Sequence, residues 1–256
     1  MSHTIAISGK GGTGKTTISA LIIKYLIEKK HTPVLAVDAD PNSNLYYYLG
    51  VEKEDTIGNL REEVLKEAKS GKIPAGIPKE TIFELKFQRS IVENEGFDLL
   101  TMGRPEGPGC YCYANMVLRR YVDVLSKNYK FIVIDNEAGM EHLSRRTTQN
   151  IEDLLIISDP TPIGIITAGR IRDLVYELEL NVNNIYLVLN RINLLSNEAT
   201  KELIKKQNLN LLGTIAEDKI LNEYSFNEKS ILELPSDSAS FLSINAIIEK
   251  LGLTQI

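Results

Sequence analysis

Cysteine is nearly absent from this chain: two in 256 residues, at positions 110 and 112. No disulfide framework can be built from them, and a bond between cysteines two apart would close a strained ring. Positive charge is also in deficit. Lys and Arg number 29 against 34 Asp and Glu, a net charge of −5, so there is no electrostatic footprint for nucleic acid. No apolar run approaches the roughly 20 residues that cross a bilayer. Met1-Ser2-His3 leads straight into an apolar stretch, without the regions of a secretory signal. Internal repeats and low-complexity tracts are lacking as well. These absences predict a cytoplasmic chain with no membrane and no nucleic-acid partner. What is there, 43% hydrophobic and 25% charged residues, suits one α/β domain spanning 1–256 with a real core.

The densest signal is Gly9-Lys10-Gly11-Gly12-Thr13-Gly14-Lys15-Thr16-Thr17. It follows the apolar run Thr4-Ile5-Ala6-Ile7-Ser8 and precedes a helical pattern that puts Ile18, Leu21, Ile22, Tyr25 and Leu26 on one face. Strand, glycine loop and helix in that order are the setting of a phosphate-binding loop. Glycines let successive backbone N–H groups turn inward on an anion, and the helix that follows aims its positive end there. Gly11, Gly12, Thr13, Gly14, Lys15, Thr16 and Thr17 are thus expected to hold a nucleotide. Lys15 is placed on the β- and γ-phosphates, and the Thr16 hydroxyl in a Mg2+ shell.

Further apolar runs follow, and several end in Asp or Asn. Val34 to Val37 ends in Asp38-Ala39-Asp40-Pro41-Asn42, and Lys130 to Ile134 ends in Asp135-Asn136-Glu137-Ala138-Gly139. Acids at the carboxyl ends of strands lie where open α/β sheets bind ligands. Asp135 reads as a ligand of magnesium-bound water beside a nucleotide. Ile185 to Leu189 closes with Asn190-Arg191; chemistry alone leaves Asn190 open between an adenine contact and a turn former. Helices are expected over 55–69, from Asn115 to Ser126, and from Pro162 to about Leu180, with a loop over 71–78. Strands are expected over 97–102, 154–158 and 211–215. Ile244, Ile247, Ile248 and Leu251 share a helical face with little basic charge, which predicts docking on the core. The sum is a mostly parallel sheet with helices on both faces, the three-layer P-loop NTPase architecture.

The loop with its additional lysine resembles the deviant Walker A form, K-G-G-x-G-K-T-T, of the MinD, ParA and nitrogenase iron protein ATPases. The resemblance implies that Lys10 crosses a homodimer interface to the partner's nucleotide, so that ATP hydrolysis depends on dimerisation. D-x-D-P-N is similar to the first switch of that family. It gives Asp38 to the magnesium shell and makes Asp40 the activator of the attacking water, while Asn190 goes to the adenine and Arg191 beside it. Ala216 departs from the family, where a proline is common.

Two thiolates on an extended segment point one way and form half of a soft metal site, which a twofold partner would complete. R-P-E-G-P-G-C-Y-C with D-N-E-A-G-M-E-H resembles the CooC-type nickel-insertion ATPases, which mature carbon monoxide dehydrogenase and include relatives serving acetyl-CoA synthase. That implies Ni2+ held by Cys110 and Cys112 of both subunits of a homodimer, in a loop at about 103–113, for delivery to a nickel enzyme. Four thiolates accept Zn2+ as readily. The alternatives are a MinD/ParA-like positioning ATPase, an iron–sulfur ATPase related to nitrogenase iron protein, and a nucleotide module without metal.

Overall fold

Along the central strands, neighbouring side chains enter two different cores. Ile5 and Ile7 pack in one and Ala6 in the other; Ala36 and Val133 belong with the first, Leu35, Val37, Ile132 and Ile134 with the second. That is the period-two alternation of a sheet buried on both faces. The structure, a computed structural model, describes residues 2–52, 54–74, 76–104, 112–138, 150–192 and 198–253, with side chains at all of these except 112–115.

The eight-stranded sheet has the order β3-β4-β2-β5-β1-β6-β7-β8. Its strands are β1 (His3–Gly9), β2 (Val34–Ala39), β3 (Ile91–Asn94), β4 (Phe97–Thr101), β5 (Phe131–Asn136), β6 (Ile151–Ser158), β7 (Val182–Ile192) and β8 (Leu211–Ala216). Every pairing is parallel except β3 with β4. The first core lies under α1 (Lys15–Glu28), α2 (Leu45–Leu49) and α9 (Ala239–Lys250). The second lies under α3 (Ile57–Lys69), α4 (Lys79–Phe87), α5 (Cys112–Leu125), α6 (Pro162–Glu177) and α7 (Glu198–Lys206). A short α8 (Lys219–Phe226) packs by the 3-10 turn Ile231–Glu233. This is the expected three-layer α/β architecture.

Crossover direction explains which helix takes which face. From β1 the chain passes over β5 to β2, and from β6 it moves the other way to β7. Right-handed connections then require α1 and α6 on opposite faces, as found. The reversal leaves a crevice at the carboxyl ends of β1, β2, β5 and β7, where ligands of such sheets bind.

The terminal helix docks as expected, with Ile244, Ile247 and Ile248 buried. Three local features differ from the sequence reading. The edge hairpin β3–β4, turning through Glu95 and Gly96, and the helix α4 were not anticipated. The helix expected from Asn115 begins at Cys112, because no Gly or Pro follows Pro108 and Gly109 until Gly139. The second cysteine is therefore helical, not extended.

Candidate active site

The loop between β1 and α1 closes on its own backbone. The Thr13 hydroxyl donates to the Lys10 carbonyl at 2.8 Å, and the Thr13 N–H reaches the same oxygen at 3.4 Å. Gly12 and Gly14 have φ of 79° and 91°, a left-handed conformation that costs glycine nothing. Gly14 is also the N-cap of α1, with no side chain to bond the helix's first N–H groups, so those donors point into the crevice. Lys15 is buried, its Nζ 3.5 Å from the Lys10 carbonyl. Burial lowers its pKa, while the charges of Asp135, Asp40 and Glu137 act in the other direction. Lys10 is exposed.

Opposite this loop stand the acids. Asp38 ends its apolar run on β2 and is fully buried. Its Oδ1 accepts from the Asp40 N–H at 3.1 Å and its Oδ2 from the Leu45 N–H at 2.9 Å, which also caps α2. Asp135 on β5 is buried and accepts hydroxyl bonds from Thr16 and from Ser19, the latter at 3.1 Å. Asp40 is half-buried; its Oδ1 accepts the Asn42 N–H at 2.8 Å, which fixes the turn after β2. Burial drives the Asp38 carboxyl up to about 8, with the Asp135 charge adding to it, and drives Asp135 up to about 6. A lysine and three carboxylates thus line an anion-binding loop.

The chain belongs to the CobQ/CobB/MinD/ParA nucleotide binding domain family. Its model matches residues 4–231. An uncharacterized ATP-binding protein of Methanocaldococcus jannaschii is 44% identical over 96% of this chain and 97% of its own length. The carbon monoxide dehydrogenase accessory protein CooC of Rhodospirillum rubrum is 29% identical over 98% of both chains. The Mg-ADP complex of the septum site-determining protein MinD from Pyrococcus horikoshii superposes with a TM-score of 0.69 over 98% of this chain and 96% of that one, at 21% identity. The last likeness concerns the fold.

Within this P-loop domain the structure brings together Lys10 to Thr17, Asp38, Asp40, Asp135, Asn190 and Arg191. Asn190 Nδ2 donates to the Thr13 carbonyl at 2.8 Å, and Arg191 Nη1 to the Gly12 carbonyl at 3.1 Å. Cys110 and Gly139 lie outside the described residues, and the side chain of Cys112 does too. Among the described residues no group of three or more His, Cys, Asp or Glu could hold a metal ion, and no helix is long and apolar enough to cross a membrane. Sequence reasoning missed Ser19. Its signal was its place three residues after Thr16, on the same face of α1.

Proposed function

We propose that the chain is an ATPase that acts as a homodimer and inserts nickel into an enzyme. The convergence of Lys15, Thr16 and Asp135 at the glycine loop carries the ATPase half. In this reading the N–H groups of Gly11 to Thr17 cradle the phosphates, and Lys15 balances their charge. Magnesium fits the donors present, since Asp38 and Asp135 are hard oxygen ligands buried side by side at an energetic cost that a cation relieves. Thr16, Asp38 and Asp135 would hold it, and it would supply positive charge to the β- and γ-phosphate oxygens. Asp40 takes the proton of the attacking water as the water oxygen bonds the γ-phosphorus. The bond to the β–γ bridging oxygen breaks, leaving ADP and phosphate. Lys10, exposed on the loop, reaches the nucleotide of the partner subunit, as an arginine finger would.

Support for the nickel half comes from end-to-end similarity to the carbon monoxide dehydrogenase accessory protein, together with the C-x-C pair. Cys110 and Cys112 of two subunits supply four thiolates to Ni2+ as cargo, with Zn2+ a competitor. The client is carbon monoxide dehydrogenase or acetyl-CoA synthase. Molar mass and bound metal measured together, with ADP, ATP and added Ni2+, test both halves. One nickel per two chains in a dimer supports the reading. A monomer saturated one-to-one overturns the nickel half, and absence of phosphate release overturns the first.

The family match favours a second reading, a positioning ATPase of the MinD/ParA kind. Against it, the only basic residue of α9, Lys250, is bonded to the Leu212 carbonyl at 2.9 Å, which leaves that helix without a basic face for lipid. ATP-dependent co-sedimentation with liposomes or DNA would decide for it.

A further inference from the structure

Ser19 sits on α1 one turn beyond Lys15 and is fully buried. Alanine is the better helix former at such a place, and burying a hydroxyl costs free energy unless it finds a partner. This hydroxyl has two acceptors in reach, the Lys15 carbonyl at 3.0 Å and Asp135 Oδ1 at 3.1 Å, but a single proton to give. In a helix the Lys15 carbonyl already accepts the Ser19 N–H. The carboxylate is the stronger acceptor, because a hydrogen bond to a charged group outweighs one to a neutral group. Thr16, three residues earlier on the same face of α1, directs its hydroxyl to the same carboxylate. Asp135 ends the apolar run of β5, a strand on which α1 packs. Two hydroxyls of one helix thus fasten one buried carboxylate of the sheet.

We infer that Ser19 is a positioning residue for magnesium: it fixes the rotation of the Asp135 carboxylate before the ion arrives, without entering the ion's own shell. This deepens the nucleotide reading of the site and rests on it. In that reading the Thr16 oxygen turns to the ion, so Thr16 serves the shell and the carboxylate together. Ser19 is the donor whose task is the carboxylate alone. A carboxylate free to turn loses that freedom when it engages a magnesium-bound water, which costs affinity. Held beforehand, it has less to lose. Outer hydrogen-bond partners of this kind are worth roughly tenfold to a hundredfold in metal affinity. Contacts between a nucleotide and the glycine loop do not pass through Ser19, so the effect belongs to the metal.

Binding of ADP is measured by calorimetry in EDTA and at rising Mg2+ for the parent chain, Ser19→Ala and Ser19→Cys. ADP is used so that no turnover intervenes. In EDTA the three chains should agree within about twofold, as for independent sites. For Ser19→Ala the Mg2+ concentration that half-completes the tightening of ADP should rise about tenfold. Cysteine nearly keeps the volume of serine and offers only a weak donor, so Ser19→Cys should follow alanine. A Ser19→Ala chain that needs no more Mg2+ than the parent overturns the inference. So does weakening of equal size in EDTA, which a general loss of packing would give. A parent-like Mg2+ requirement in Ser19→Cys overturns it too, since volume and not the hydroxyl would then be at work. Should Ser19→Ala fail to fold, the cysteine variant decides alone. If the parent binds ADP but ignores Mg2+, the magnesium part of the reading fails and takes the inference with it; if it binds no ADP at all, the nucleotide reading itself fails.

Discussion

Asp38 and Asp135 stand opposite each other in the register of neighbouring parallel strands, both removed from solvent. Two buried carboxylates side by side cannot both ionise cheaply. Their folded pKa values, about 8 and about 6, lie above the unfolded value of about 4. Between those limits the folded chain holds more protons than the unfolded chain, so its stability falls as pH rises. The contribution is complete below the unfolded pKa and gone once pH passes the folded values. Thermal melts of the nucleotide-free protein between pH 5 and 8.5 should show that decline. Asp135→Asn should melt higher than the parent at pH 8.5 with a flatter slope, because the Thr16 and Ser19 hydroxyls can turn to accept from the amide. The same variant should lose stabilisation by magnesium and ATP.

Lys10 and Lys15 share one loop but differ in setting, one exposed and one buried. Lys15→Ala should abolish ATP binding, since no other side chain on the loop brings a buried positive charge to the phosphates. Lys10→Ala should leave ATP affinity within about threefold and lower turnover on the order of 10³, the usual scale for a cation supplied in trans. Equilibrium nucleotide binding set beside phosphate release distinguishes them. Parent turnover per chain should rise with protein concentration; a concentration-independent rate would contradict the trans role.

Asp218 ties two helix starts together. Oδ1 accepts the N–H groups of Ile220 and Leu221 at 2.9 and 3.3 Å, and Oδ2 accepts the Ser240 N–H and hydroxyl at 2.9 and 2.7 Å. Burial alone would raise its pKa, but these bonds outweigh it and hold the carboxyl below the ordinary range. Asp218→Ala should cost about 2 kcal/mol in urea unfolding at neutral pH. A depressed pKa gives stability that is present above the unfolded value and lost as pH falls through the folded one. The gap between parent and variant should accordingly narrow below pH ~4.

What could be read from the sequence followed from the range of the interactions. The central strands are apolar runs ending in Asp or Asn, and the glycine loop is contiguous, so both were visible. The edge strand Ile91–Asn94 holds only two apolar residues and is half exposed; its identity comes from pairing with β4. Ser19 looked like an indifferent helix residue because Asp135 lies 116 positions away. The same distance problem hid the hydrogen-bond partners of Asn190 and Arg191, which are gained only when β7 is laid beside the loop.

The cysteine pair supplies the last prediction. Two sulfurs per chain leave a four-coordinate ion half satisfied, so tight binding requires a second chain, and symmetry makes Cys110→Ser or Cys112→Ser each remove two ligands from the dimer. Either single variant should lose most of its nickel, and the double variant all of it, while phosphate release continues because the nucleotide site contains no sulfur. Metal analysis after gel filtration with ATP measures the loading, and thiolate-to-nickel charge-transfer absorption reports the ligands directly. Zinc added first should suppress that absorption in proportion to its occupancy. Full nickel loading of the double variant would place the metal elsewhere, and with it would go the distinction between this chain and an ATPase that carries nothing.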